Sequence, residues 1–126
     1  MVVVNTYAKG NEAIVGLIIG IMMLTERGGD LVLIIDCPAG QVVHYLLGSF
    51  GEKARGRLFR AVDFKLPWVK RLVILSPQFE KSMTDWLAIP DTVWVKTWSE
   101  AMDILNRDFP TGARVAVVPD GTIQYL

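Results

Sequence analysis

Short, uninterrupted runs of apolar and mostly β-branched residues alternate along this chain with longer stretches of helical pattern. Four of these runs, VVV, LVLII, LVIL and VAVV, lack the alternation expected of a strand with one solvated face. Strands that are covered on both faces read in this way, and they belong to parallel sheets with crossover helices on both sides. The sequence therefore predicts an α/β fold in three layers, with a mostly parallel sheet in the middle.

The turn and capping residues between these runs place the individual elements. The five predicted strands are Val2–Asn5, Leu31–Asp36, Leu72–Ser76, Val93–Lys96 and Arg114–Val118. The predicted helices are Asn11–Thr25, Gln41–Leu47, Gln78–Leu87 and Trp98–Arg107. The last helix is the best defined, because Thr97 and Glu100 have capping-box spacing. Its buried face is predicted to consist of Trp98, Ala101, Met102 and Leu105. The four tryptophans, Trp68, Trp86, Trp94 and Trp98, are predicted core and interface anchors.

Length and charge exclude several classes of protein. A chain of 126 residues forms one hydrophobic core, so residues 1–126 are predicted to be a single domain. Thirteen basic and thirteen acidic residues cancel, which gives no reason to expect a nucleic-acid partner. One cysteine excludes a disulfide framework, and the longest uncharged run, Ala13–Leu24, is too short to span a bilayer. With no export signal at the start, we predict a reducing, cytoplasmic setting.

The first predicted helix is apolar nearly all round. Gly16 and Gly20 are spaced for close packing of the helix against another element. The remaining apolar positions exceed what one sheet face can bury; they include Leu17, Ile18, Ile21 and Met22. We therefore expect a further surface to cover this helix, either another domain or a second copy of the chain.

Ligands of open parallel sheets bind at the carboxyl ends of the strands. After the first strand, Lys9 stands beside the start of a helix and can bind a carboxylate or phosphate there; otherwise Asn11 caps the helix and Lys9 is solvated. After the second strand, Cys37 is a nucleophile only if His44 acts as its base, and otherwise a small buried side chain. The glycine pattern of a dinucleotide-binding loop is absent after Gly10.

Motifs in these loops occur in a recognisable order. They are Asn5-x-Tyr7-x-Lys9 with Asn11-Glu12, then Gly28-Gly29, Asp36-Cys37-Pro38-x-Gly40 and His44-Tyr45-x-x-Gly48, and finally Pro119-Asp120-Gly121. In this order and spacing, across the whole chain, the sequence resembles the C-terminal domain of the nickel-pincer lactate racemase family.

The resemblance implies a Rossmann-like lobe, excised from a longer two-domain protein, that forms one wall of an interdomain cleft for a small 2-hydroxy acid. In that family an N-terminal lobe carries the catalytic histidine pair and the lysine and remaining ligand that hold the nickel-pincer nucleotide. This chain alone would then bind no nickel and have no isomerase activity. The residues that match the family at the cleft are Tyr7, Lys9, Asn11, Glu12, Cys37, Gly40 and His44. Where the family has a glutamine and a lysine that bind the substrate, this chain has Val15 and Ile18. The resemblance therefore does not identify the substrate of the full-length protein.

Two hypotheses from other classes compete with this one. The chain is alternatively a free-standing flavodoxin-like module that binds a small molecule or nucleotide, or an interaction domain that docks through its first helix. The apolar run Ala13–Leu24 favours the racemase-like lobe and the interaction domain over the nucleotide module. The expected partners of the lobe are the N-terminal catalytic lobe and a small-molecule substrate, together with self-association of the isolated domain.

Overall fold

The fold is taken from a computed structural model. It describes residues 1–7, 12–36, 38, 66, 68–78, 89 and 91–123. The elements are β1 (Val2–Asn5), α1 (Ala13–Met23), β2 (Gly29–Ile34), β3 (Val69–Leu75), β4 (Val93–Val95), α2 (Trp98–Asp108) and β5 (Ala116–Val118). The predicted helix Gln41–Leu47 and residues 79–87 of the predicted helix Gln78–Leu87 lie outside the described residues.

The five strands form one parallel sheet in the order β4-β3-β2-β1-β5. This confirms the predicted parallel sheet, with shifted strand ends. β2 and β3 begin earlier than predicted because Gly29 pairs with Val69, ahead of a local irregularity in register. Both strands also end before the predicted Asp36 and Ser76, although Ser76 still donates its N–H to the Val95 carbonyl at 2.9 Å.

Side chains of alternate strand residues enter two separate cores. On one face, Val2 and Val4 of β1 join Leu17 of α1 in a buried cluster. On the opposite face, Val3 joins a cluster with Leu105 of α2. Each strand therefore needs apolar residues at consecutive positions, which explains the uninterrupted runs and confirms the three-layer Rossmann-like α/β architecture.

Two glycines let α1 approach the sheet closely. A Cβ atom at Gly16 would lie 2.2 Å from Cγ2 of Thr6, and one at Gly20 would lie 2.5 Å from Cδ1 of Leu31. Neither position has room for a side chain, as the spacing of the glycines predicts. The helix ends at Met23, short of the predicted Thr25, because Leu24 is already extended.

The start of α2 is fixed by a complete capping box. The Thr97 hydroxyl accepts a hydrogen bond from the Glu100 N–H at 3.2 Å, and the Glu100 carboxylate accepts one from the Thr97 N–H at 3.3 Å. Ala101 and Leu105 are buried as predicted, but Trp98 is 46% exposed. Trp98, the first residue of the helix, is therefore not part of the buried face that the spacing predicts, and its role as an interface anchor stays a prediction.

The other predicted tryptophan anchors have different outcomes. Trp68 and Trp94 are partly buried and pack against the core on the α1 face, in agreement with the prediction. The indole N–H of Trp94 also donates to the Ser76 carbonyl at 3.1 Å, so its polar group is satisfied. Trp86 lies outside the described residues.

An ion cluster ties α2 to the amino ends of β2 and β3. The Arg71 guanidinium bonds both to the buried carboxylate of Asp30 and to Asp108 at the end of α2, the latter at 2.5 Å. Burial lowers the pKa of Arg71, but the hydrogen bonds and charges of the two carboxylates outweigh burial and raise that pKa above its ordinary value. The arginine is therefore charged wherever the protein is folded, so the cluster is a fixed structural link.

Candidate functional site

The strand order creates one topological switch point, between β1 and β5. From β1 the chain passes through α1 to reach β2 on one side, and from β4 it passes through α2, across the other face, to reach β5 on the opposite side. Right-handed crossovers that run in opposite directions must use opposite faces of the sheet. Folds of this kind bind ligands at the carboxyl edge of the sheet, beside such a switch point.

The loop after β5 lies directly against the end of β1. The Gly121 N–H donates to the Asn5 carbonyl at 2.7 Å. A Cβ atom at Gly121 would lie 2.4 Å from Cγ1 of Val4 and 3.0 Å from Cα of Gly16 in α1. Only glycine allows this three-way contact, which brings the β5 loop, the end of β1 and the helix together.

Side-chain oxygens hold the two loops in tight turns. Oδ1 of Asn5 accepts a hydrogen bond from the Tyr7 N–H at 2.9 Å. After β5, Oδ1 of Asp120 accepts hydrogen bonds from the N–H and the hydroxyl of Thr122, at 3.0 and 2.7 Å. Such turns fix the chain direction just beyond a strand. We call the residues at this point the switch-point residues; they are Asn5, Tyr7, Glu12, Asp120, Gly121 and Thr122.

The amino end of α1 opens at the same edge. Glu12 occupies its N-cap position, but no side-chain hydrogen bond caps the first turn in the described part of the chain, and that turn carries no acidic residue. Unpaired N–H groups and the helix dipole give such an end a positive potential. A helix start of this kind can bind an anionic group such as a carboxylate, although the charged side chains described at this edge, Glu12 and Asp120, are both acidic.

Two of the predicted site residues fall among these groups. Tyr7 is 63% exposed and Glu12 is partly buried, both between β1 and α1. The other predicted residues, Lys9, Asn11, Cys37, Gly40 and His44, lie outside the described residues, so their convergence stays a prediction. The strands that lead to them are adjacent and parallel, with Asn5 paired to Ile34, so their loops leave the same edge.

Asn5, Asp120 and Thr122 were not among the predicted site residues. Their sequence signal is an Asn or Asp with its turn partner two residues later, at or shortly after the end of an apolar strand. That signal marks a turn but not its neighbours, and only the pairing of β5 with β1 brings the two turns together.

The polar groups just after β3 hydrogen-bond to one another. Ser76 is buried, and its hydroxyl donates to the Gln78 carbonyl at 2.9 Å.

Within the ranges that the structure describes, no group of three or more His, Cys, Asp or Glu side chains could hold a metal ion. Neither α1 nor α2, the two described helices, is long and apolar enough to cross a membrane.

Comparison with known proteins identified no relative of this chain. A scan against protein-family models, a search of curated proteins and a search of solved structures each found no match to this chain. The assignment to the Rossmann-like α/β fold therefore rests on the topology of the sheet and its two helical layers.

Proposed function

We propose that this chain is the Rossmann-like lobe of a two-lobed, lactate racemase-like protein, and that its carboxyl edge forms one wall of a cleft for a small 2-hydroxy acid. One observation carries the proposal: the amino end of α1, which no side chain among the described residues caps, lies beside the β5 loop at the switch point. Two of the motifs that resemble the racemase family, the one that begins at Asn5 and Pro119-Asp120-Gly121, lie in the loops after β1 and β5.

Each group at this edge has a role in the proposal. The N–H groups of the first turn of α1 attract the substrate carboxylate, and Lys9, three residues before Glu12, adds a full positive charge. The exposed Tyr7 hydroxyl donates a further hydrogen bond. The Glu12 carboxylate accepts a hydrogen bond from the 2-hydroxyl group of the substrate. This lobe binds and orients the substrate, while proton transfer and the nickel-pincer nucleotide belong to the other lobe.

The outer face of α1 favours the hypothesis of a two-lobed protein over that of a free-standing nucleotide-binding module. Ile18 and Met22, one turn apart, are 48% and 69% exposed, and no charged residue occurs from Ala13 to Leu24. We call Ile18 and Met22 the α1 stripe. In the proposal, these two exposed apolar side chains lie on the surface that the other lobe covers. The proposal assigns that role to the catalytic lobe, and the same stripe favours the interaction domain as the second candidate function.

The size of the natural protein tests this proposal. An antibody raised against the purified 126-residue chain should detect, in denatured extracts of the source cells, a polypeptide more than twice as long as this chain. The recombinant chain on the same gel is the size control. A single natural band that migrates with the recombinant chain would contradict the two-lobed proposal.

A further inference from the structure

The loop after β5 contains a dipeptide that is prone to spontaneous covalent change. Asp120 is followed by Gly121, which is the one Asp-Gly step in the sequence, and the sequence has no Asn-Gly step. In a flexible chain such a step isomerises, because glycine has no side chain to keep its nitrogen away from the aspartyl carboxyl group. Every other aspartate in the sequence is followed by a residue with a side chain.

The isomerisation is an internal rearrangement that needs only water. The Gly121 nitrogen loses its proton to the solvent and attacks Cγ of Asp120, while the protonated carboxyl group releases its hydroxyl group as water. The product is a cyclic succinimide, which a water molecule then hydrolyses at either of its carbonyl carbons. Hydrolysis at one carbon restores aspartate. Hydrolysis at the other leaves isoaspartate, in which the main chain runs through the former side chain and is longer by a methylene group.

Both reacting groups are held by hydrogen bonds in the folded chain. The Gly121 N–H donates to the Asn5 carbonyl at 2.7 Å, and Gly121 is buried, so its proton is shielded from water. Oδ1 of Asp120 accepts hydrogen bonds from the N–H and the hydroxyl of Thr122, at 3.0 and 2.7 Å, which fix the carboxyl group. Succinimide formation therefore requires a local opening in which the loop leaves β1.

We propose that Asp120-Gly121 is a latent site of isoaspartate formation, which the folded loop suppresses and which reacts when the loop opens. A Cβ atom at Gly121 would lie 2.4 Å from Cγ1 of Val4 and 3.0 Å from Cα of Gly16, so this contact has no room for a longer main chain. Isoaspartate then prevents the loop from closing again on β1 and α1. This inference does not depend on what the switch point binds.

Mass spectrometry of tryptic peptides measures the reaction. Trypsin releases residues 115–126 as one peptide, in which isoaspartate at position 120 shifts the chromatographic retention time and blocks cleavage by endoproteinase Asp-N. The chain in guanidinium chloride should form isoaspartate at least about tenfold faster than the folded chain, since opening breaks several hydrogen bonds. The peptide of residues 97–107, which contains the exposed Asp103, is the internal control and should stay unmodified in both samples.

Substitutions at Thr122 test the hydrogen bonds that fix the carboxyl group. Thr122→Val removes the hydroxyl group and keeps the shape of the side chain, so the folded variant should react about threefold to tenfold faster, as expected for the loss of one hydrogen bond. Thr122→Ser keeps the hydroxyl group and should react at the rate of the unsubstituted chain.

Equal rates in the folded and the unfolded chain would overturn the proposal, and so would a Thr122→Val variant that reacts no faster than Thr122→Ser. The comparison of folded with unfolded chain needs no substitution, so it stands even if a variant does not fold.

Discussion

Replacing Gly16 with leucine is expected to lower the free energy of unfolding by about 3 kcal/mol or more, a typical upper value for overpacking a core. The added Cβ atom alone would lie 2.2 Å from Cγ2 of Thr6, whose side chain is itself buried. Leucine is a better helix former than glycine by about 0.8 kcal/mol, which is too little to offset the clash. The helix would have to move away from the sheet. Urea unfolding followed by circular dichroism measures the loss.

Ile18→Leu is the matched control for this prediction. It places the same side chain on the same helix, on the exposed side, and is expected to change the free energy of unfolding by less than about 0.5 kcal/mol. Equal stability losses for the two variants would mean that α1 does not lie on the sheet through its glycine face.

Arg71→Met is expected to destabilise the protein by about 3–5 kcal/mol, because it leaves the carboxylate of Asp30 buried and without its cation. Adding Asp30→Leu to the same variant should recover most of this loss, since an apolar pair carries no unpaired charge. Asp108→Asn should cost much less, because that carboxylate is half exposed.

Thermal and urea unfolding of the three variants check the prediction. A double variant that is as unstable as Arg71→Met alone would contradict the account, since the loss would then come from packing of the arginine stem. The ranking of the single variants matters as well: an Asp108→Asn variant as unstable as Arg71→Met would place the main link at α2 instead of at Asp30.

The layers of this fold could be predicted because patterns of neighbouring residues in the sequence determine them. Val2–Val4 has no polar position, which only a strand with two covered faces tolerates, and the structure puts Val3 in a different core from its neighbours. Thr97 and Glu100 mark a helix start through contacts three residues apart. Trp98 has the same helical spacing as the buried Ala101 and Leu105 but is 46% exposed, because spacing alone does not show which residues of a helix face are covered.

The site could be predicted only in part, because its neighbours are distant in sequence. Tyr7 and Glu12 follow from the rule that ligands bind after strands of a parallel sheet. Asp120 and Thr122 join them only because β5 returns to pair with β1, which depends on long-range strand pairing. Local patterns carry no information on the order of the strands in the sheet, so the switch point could not be predicted from the sequence.

Amide chemical shifts of the ¹⁵N-labelled chain, titrated with lactate, test most directly whether the switch point binds a 2-hydroxy acid. Propionate, which lacks the hydroxyl group, and adenosine monophosphate, a nucleotide, serve as parallel titrants. We expect lactate to shift the amides of Asn5, Tyr7, Glu12 and Thr122 more than propionate does, and Lys9→Ala to weaken the response. No lactate-dependent shift at these residues, or a response to the nucleotide alone, would contradict the account.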